Sequence, residues 1–175
     1  FEEHKPIESF KINQIQLLDL LNKTSFSMAT NPDVRFILCG LLLEIEPNEI
    51  TAVATDAHRL AISSSVLDKN QINKTNCIVP RKAVLELIRV LQGNSEAKIG
   101  IGTNQISVNI KGLRFVSKLM DGKFPAGYKG VIPDAASIEI LLDKQNIRAA
   151  LQRVSILANE KFKGVRIEAT NKSIV

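Results

Sequence analysis

The run ATDAHRL at residues 54–60 holds the side chains that are best suited to catalysis. Asp56 and His58, two positions apart, could act as an acid–base pair or supply two metal ligands. The same two side chains also suit a tight turn, in which they would bind backbone groups between two strands. The residues alone leave all three interpretations open.

The rest of the sequence offers little that would complete a catalytic site. The other histidine, His4, lies beside the N-terminus, and Cys39 and Cys77 lie 38 positions apart in strand-like segments. A free cysteine in such a segment usually packs as a small apolar side chain. No glycine-rich phosphate loop and no nucleophile elbow occurs. We therefore expect reduced thiols in a cytosolic protein with no metal, no cofactor and no enzymatic activity. A metal-dependent hydrolase centred on Asp56 and His58 is the alternative.

Composition indicates an ordinary globular chain with an uneven distribution of charge. Of its 175 residues, 45% are hydrophobic and 23% charged, which excludes disorder, and two cysteines are too few for a disulfide scaffold. The longest apolar stretch, residues 36–43, is too short to span a membrane. Residues 1–88 carry nine basic and eleven acidic groups (−2), whereas residues 89–175 carry fourteen and seven (+7). The basic half fits either a phosphate-bearing partner or a lysine-rich solvated surface.

Hydrophobic periodicity predicts the same group of elements twice: a strand, a helix and three antiparallel strands. The first copy is predicted at residues 9–12, 13–24, 34–45, 50–55 and 59–65. The second copy is predicted at residues 77–79, 80–93, 97–101, 105–110 and 113–119. Asn13 is the expected N-cap of the first helix, and Val84, Leu87, Ile88 and Leu91 form one apolar stripe on the second. The predicted fold class is α+β, with helices on one face of antiparallel sheets.

A third copy of the pattern begins after a glycine- and proline-containing linker at residues 120–133. A strand is predicted at residues 137–142, followed by a helix with Asp143 as its N-cap, 130 positions after Asn13. The chain closes on a strand pattern at residues 164–170 and three residues of another strand. These two strands would form a hairpin whose second strand is cut short, and such a hairpin leaves an open sheet edge. We therefore expect a piece of a longer protein, with one domain at 1–133 and a truncated domain at 134–175.

Each predicted helix has a second face that its apolar stripe leaves free. On the second helix this face carries Lys82 and Arg89, with Arg81 at the start, and on the third helix it carries Lys144 and Arg148. Long cationic side chains without aromatic neighbours suit the phosphates of a duplex, whereas single strands need stacking platforms. Solubility explains such faces more often than DNA contact does, so the helices alone do not decide.

Four segments carry a resemblance to a known protein family. They read TDAHRLA at residues 55–61, IVPRK at 78–82, SKLMDGKFP at 117–125 and NEKFKGVR at 159–166. In type, order and spacing they resemble the bacterial DNA polymerase III sliding clamp, the beta subunit. The resemblance implies that residues 1–133 are the middle one of three similar domains and that residue 134 opens the third.

The resemblance also implies a function. Two subunits would form a ring with sheets outside and helices lining a hole for duplex DNA, so that a cytoplasmic processivity factor is held on DNA by topology and without catalysis. Implied partners are double-stranded DNA, a second subunit in a homodimer, and polymerase subunits, the clamp loader and repair proteins. The proteins would bind through short peptides with a glutamine and with leucine or phenylalanine anchors. The alternative is a stand-alone, sequence-nonspecific nucleic-acid-binding module.

Two sets of site residues follow from the resemblance and from the free helix faces. The expected DNA-facing residues are Arg35, Arg81, Lys82, Arg89 and Arg148. The expected pocket for partner peptides consists of Leu38, Thr55, Ala57, His58, Arg59, Leu60, Pro125 and Val131. Three departures from the family pattern affect this pocket: the extra Gly127, Gly130 where arginine is frequent, and Ala57 where glycine is common. They could change its preference for peptides.

Overall fold

The computed structural model describes residues 6–31, 35–68, 73–133, 139–157, 164–170 and 173. The chain divides into two compact units, Phe1–Gly127 and Tyr128–Val175. This division falls inside the segment 120–133, while the domain boundary at residue 133 stays a prediction. Among the described residues, no helix combines the length and the apolar character needed to cross a membrane.

The first unit repeats the order strand, helix and three strands, as the periodicity predicts. The first copy consists of β1 (Glu8–Asn13), α1 (Gln14–Thr24), β2 (Gly40–Glu46), β3 (Glu49–Thr55) and β4 (Leu60–Val66). The second copy consists of β5 (Thr75–Pro80), α2 (Arg81–Val90), β6 (Glu96–Ile101), β7 (Gln105–Ile110) and β8 (Leu113–Lys118). Short 3₁₀ helices at Ser25–Ser27 and Phe36–Cys39 follow α1 and precede β2.

The two copies exchange their first strands. One antiparallel sheet has the order β1-β6-β7-β8, and the other has the order β4-β3-β2-β5. Phe10 of β1 therefore lies opposite Ile99 of β6, and Leu43 of β2 lies opposite Cys77 of β5. Neither copy completes a four-stranded sheet from its own residues, so the two copies fold as one interlocked body.

A single core joins both helices to both sheets. Leu17, Leu20 and Leu21 of α1 are buried in the same cluster as Val84 and Leu87 of α2, together with inward residues of β1–β3 and β5–β7. Burial of each such side chain contributes about 1.5–3 kcal/mol. The stripe predicted on the second helix is confirmed, with Ile88 half-buried. The N-cap is confirmed as well, since the Asn13 side chain accepts a 2.8 Å hydrogen bond from the Ile15 N–H.

The long strand predicted at residues 34–45 is wrong in its first part. Val34 lies outside the described residues, Phe36–Cys39 forms a 3₁₀ helix, and β2 begins only at Gly40. The Leu38 N–H donates to the Arg35 carbonyl oxygen at 2.9 Å and closes this turn. A continuous apolar run has no alternation that separates a buried strand from a buried turn.

In the second unit the helix is confirmed, but the predicted strands are not. Helix α3 (Lys144–Ser155) begins after Asp143, whose side chain accepts a 2.8 Å hydrogen bond from the Asn146 N–H. Residues 139–142 form no strand, and residues 164–170 contain only an isolated bridge at Ala169. Residues 137–138, 171–172 and 174–175 lie outside the described part. A strand needs a hydrogen-bonded neighbour, and the described residues of this unit supply none comparable to β6 or β3.

Candidate functional site

One end of the sheet β4-β3-β2-β5 gathers most of the predicted site residues. Because neighbouring strands are antiparallel, the start of β2, the end of β3, the start of β4 and the end of β5 lie at the same end. Leu38 precedes β2, residues 55–60 connect β3 to β4, and Arg81 follows β5 directly. Strand pairing therefore places these three segments side by side.

The connection between β3 and β4 is a tight turn closed by two side chains. Thr55 Oγ1 accepts a hydrogen bond from the Ala57 N–H at 3.1 Å and donates one to the Arg59 carbonyl oxygen at 2.7 Å. Asp56 Oδ1 accepts from the N–H groups of His58 and Arg59, both at 3.0 Å. Of the three interpretations of Asp56, the tight turn is the one that these contacts confirm.

The electrostatics of Asp56 agree with a role in the turn. Partial burial raises the pKa of this carboxyl, but the N–H groups of His58 and Arg59 and the Arg59 guanidinium lower it by more, so that the pKa lies below its usual 3.8. Asp56 Oδ2 is 3.1 Å from Arg59 Nε. The carboxylate is thus ionised at neutral pH, and both of its oxygens are engaged. Within the described ranges, no group of three His, Cys, Asp or Glu side chains could hold a metal ion.

Ala57 adopts a left-handed backbone conformation with φ of 75°, unlike every other non-glycine residue in the described part of the chain. The geometry turns the next two N–H groups toward Asp56, at a cost of about 1–2 kcal/mol for a residue with a Cβ. The side chains of Ala57, His58 and Arg59 are exposed, and Leu60 is half-buried. The turn therefore presents imidazole, guanidinium and leucine side chains in sequence at the surface.

Phe26 adds an aromatic ring to this surface, and the sequence interpretation missed it. Arg59 Cζ lies 5.8 Å from the centroid of the Phe26 ring, within the range of a cation–π contact. The ring is 58% exposed. One signal in the sequence pointed to an exposed ring: Phe26 comes after the last residue of the apolar stripe of α1 and lies off the line of that stripe.

The segment after β8 returns to the same end of the sheet. The Met120 N–H donates to the Ile78 carbonyl oxygen at 2.9 Å, and a Cβ added at Gly122 would lie 3.2 Å from Ile37 Cδ1. The same segment continues to Pro125, which is half-buried. Leu38, next to Ile37, is buried. Within the first unit, therefore, the Pro125 segment approaches the Leu38 segment. Val131 belongs to the second unit and is 70% exposed, and its membership of the pocket stays a prediction.

The predicted DNA-facing residues differ in how available their charges are. Lys82 is exposed and has no side-chain partner among the described residues, whereas Arg89 Nη1 is 2.9 Å from Glu86 Oε1. Arg81 is half-buried at the start of α2, and Arg35 is exposed just before Phe36–Cys39. Arg148 is exposed on α3 in the second unit. In the described part of the chain, helix α2 thus carries three cations: half-buried Arg81, exposed Lys82 without a side-chain partner, and Arg89, whose charge is shared with a carboxylate.

Both cysteines are free thiols. Cys77 is buried in β5, and burial raises the pKa of its thiol to about 12. Cys39 is half-buried at the end of its 3₁₀ helix. The prediction that these residues pack as reduced thiols agrees with this geometry for Cys77.

Replacement of Ala57 by glycine is expected to stabilise the first unit. Glycine adopts positive φ without the Cβ penalty but loses more chain entropy on folding, so the net gain in unfolding free energy is about 0.5–1 kcal/mol. Urea denaturation of the two proteins would measure it. As a control, Ala83→Gly inside α2 should lower the unfolding free energy by about 1 kcal/mol. A loss of stability in Ala57→Gly would show that the turn is not strained.

Known proteins match this chain over almost its whole length. The family described as DNA polymerase III beta subunit, central domain, matches residues 11–126. The chain is 40% identical over 164 residues to the beta sliding clamp of Pseudomonas aeruginosa, covering 93% of this chain and 44% of that protein. It is 38% identical over 166 residues to the beta sliding clamp of Escherichia coli strain K12, covering 94% of this chain and 44% of that protein. The chain spans less than half the length of these curated relatives.

Solved structures show the same fold. The DNA polymerase III subunit beta of P. aeruginosa superposes with a TM-score of 0.92 at 39% identity, covering 99% of this chain and 47% of that one. The P. aeruginosa sliding clamp bound to griselimycin superposes with a TM-score of 0.91 at 40% identity, covering 98% of this chain and 46% of that one. The sliding clamp of Bacillus subtilis superposes with a TM-score of 0.85 at 29% identity, covering 99% of this chain and 47% of that one. The predicted α+β DNA-clamp fold is confirmed, and the chain belongs to the family of DNA polymerase III beta subunits.

Proposed function

We propose that this chain is the middle domain and the opening of the third domain of a ring-shaped sliding clamp. The ring, a homodimer in the cytoplasm, would encircle duplex DNA and tether the replicative polymerase, the clamp loader and repair proteins without catalysing a reaction. The observation that carries the proposal is the interlocked pair of repeats, which holds α1 and α2 against one core and leaves an outer face of α2 to solvent. The identity of about 40% to beta sliding clamps supports it.

The chemistry of α2 fits contact with a duplex that slides. Lys82 and Arg89 are long, exposed and cationic, so they can neutralise phosphates without reading bases. Arg81 at the helix start, Arg35 and Arg148 complete the proposed DNA-facing set. A ring needs no tight contact because topology prevents escape, and a few water-mediated charge contacts are compatible with sliding.

The end of the sheet at the β3–β4 turn fits a binding site for peptides. It presents polar groups of His58 and Arg59 beside the apolar Leu60, with Leu38 and Pro125 approaching from neighbouring segments. Small apolar surfaces with a few fixed polar groups are typical of sites that bind short linear peptides. Thr55, Ala57 and Val131 complete the proposed pocket.

The DNA-facing assignment predicts a defect for Lys82→Glu in the intact clamp. Losing one phosphate contact and adding a repulsive charge should lower processive synthesis on primed circular DNA by roughly three- to tenfold at moderate salt, since one charge contact is worth about 1 kcal/mol. Lys98→Glu is the matched control, because Lys98 is exposed on β6 between residues that face the core. Equal rates for the two variants would contradict the assignment.

The peptide pocket predicts weaker binding for Leu60→Ala. Titration calorimetry would use the intact clamp and a synthetic peptide with a glutamine and with leucine and phenylalanine anchors. We expect the affinity of Leu60→Ala for the peptide to fall roughly fivefold to thirtyfold, the usual range for an apolar contact residue. His58→Ala should also lower the affinity. Leu113→Ala is the control, since Leu113 is an exposed leucine of β8 in the other sheet. Undiminished affinity in Leu60→Ala would place the peptide elsewhere.

A further inference from the structure

We infer that Phe26 is a positioning residue for Arg59 in the proposed peptide site, and this inference rests on the function proposed above. Phe26 was absent from the predicted pocket. The structure places its ring under the guanidinium of a residue that belongs to the pocket, at a distance of 5.8 Å. Both residues belong to the first compact unit.

The backbone around Phe26 explains why its ring is at the surface. Phe26 is the central residue of the 3₁₀ helix Ser25–Ser27, which follows α1. Thr24, Ser27 and Met28 around it are all buried, and Thr24 Oγ1 donates to the Leu20 carbonyl oxygen at 2.7 Å. With these neighbours fixed inward, the Phe26 side chain points outward and is 58% exposed. The ring thus stands on a rigid segment, although it is not itself in the core.

Arg59 is held from two directions. Nε is 3.1 Å from Asp56 Oδ2, and Cζ lies over the Phe26 ring, 5.8 Å from its centroid. The backbone of Arg59 is fixed as well, because its N–H and its carbonyl oxygen are both hydrogen-bonded within the turn. A guanidinium has five N–H donors, and the four on Nη1 and Nη2 have no partner among the described residues. The arrangement presents oriented, unused donors on a side chain that would otherwise sample many rotamers.

The charge of this arrangement indicates which group it suits. Asp56 balances the charge of Arg59, so the pair as a whole attracts a carboxylate weakly, and the free donors match neutral carbonyl oxygens of a peptide. The structure therefore assigns to Arg59 a peptide carbonyl, and to Phe26 the task of keeping the guanidinium oriented toward it.

A double-mutant cycle in the intact clamp tests this role, with the same synthetic peptide and titration calorimetry. Phe26→Leu keeps apolar volume but removes the aromatic face, and we expect roughly threefold weaker binding, the size of one exposed cation–π contact. Phe26→Tyr keeps the face and should restore the affinity of the unmodified clamp. In the Arg59→Ala background, Phe26→Leu should have no further effect, because a residue that acts through Arg59 has nothing left to position.

Each other outcome overturns a stated part of the account. If the unmodified clamp binds the peptide but Phe26→Leu binds it equally well, or loses the same factor with and without Arg59, the positioning role is wrong and the proposed function stands. If the unmodified clamp does not bind the peptide, the proposed function and this inference both fail. Nuclear magnetic resonance of the free protein gives an independent check. The Arg59 Nε–H signal should carry a ring-current shift that is lost in Phe26→Leu and kept in Phe26→Tyr, and its absence from the unmodified protein would refute the contact.

Discussion

The exchange of first strands between the two repeats is the constraint on which the rest of this structure depends. β1 completes the sheet of the second copy, and β5 completes the sheet of the first. Each copy therefore needs the other for its backbone hydrogen bonds, and the two helices share one core as a consequence. An unpaired edge exposes N–H and C=O groups, so a copy folded alone would leave its three-stranded sheet open at the position that the exchanged strand fills.

Both proposed surfaces follow from this pairing. β5 ends beside the start of β2, which places Arg81 and Lys82 of α2 at the same end of the sheet as Leu38. β3 and β4 bring the turn of Asp56 and His58 to that end as well. A partner at the turn and a charged polymer along α2 would thus be held by one rigid scaffold. Strand register sets the positions of the proposed site residues of the first unit, and Thr55, Asp56 and Phe26 contact the residues of the turn locally.

The sequence predicted local features well and non-local ones poorly. The caps at Asn13 and Asp143 and the stripe on α2 depend on residues within one or two turns, and they are confirmed. The sequence shows that a unit is repeated, but strand exchange depends on pairing between distant residues, 83–93 positions apart in β1 and β6 and 30–40 apart in β2 and β5. Periodicity does not encode such pairing. The 3₁₀ helix at Phe36–Cys39 was missed because its apolar run lacks alternation. Phe26 was missed because its contact with Arg59 exists only after the turn has formed.

Amide hydrogen exchange of the first unit under native conditions tests the interlocked fold most directly. Amides at the centres of β3 and β7 lie in different sheets and in different copies, yet they belong to one core. If the copies fold as one body, the slowest of these amides should exchange through the same global opening, with free energies equal within about 0.5 kcal/mol. A difference of more than about 2 kcal/mol, with one sheet opening while the other stays protected, would contradict the account.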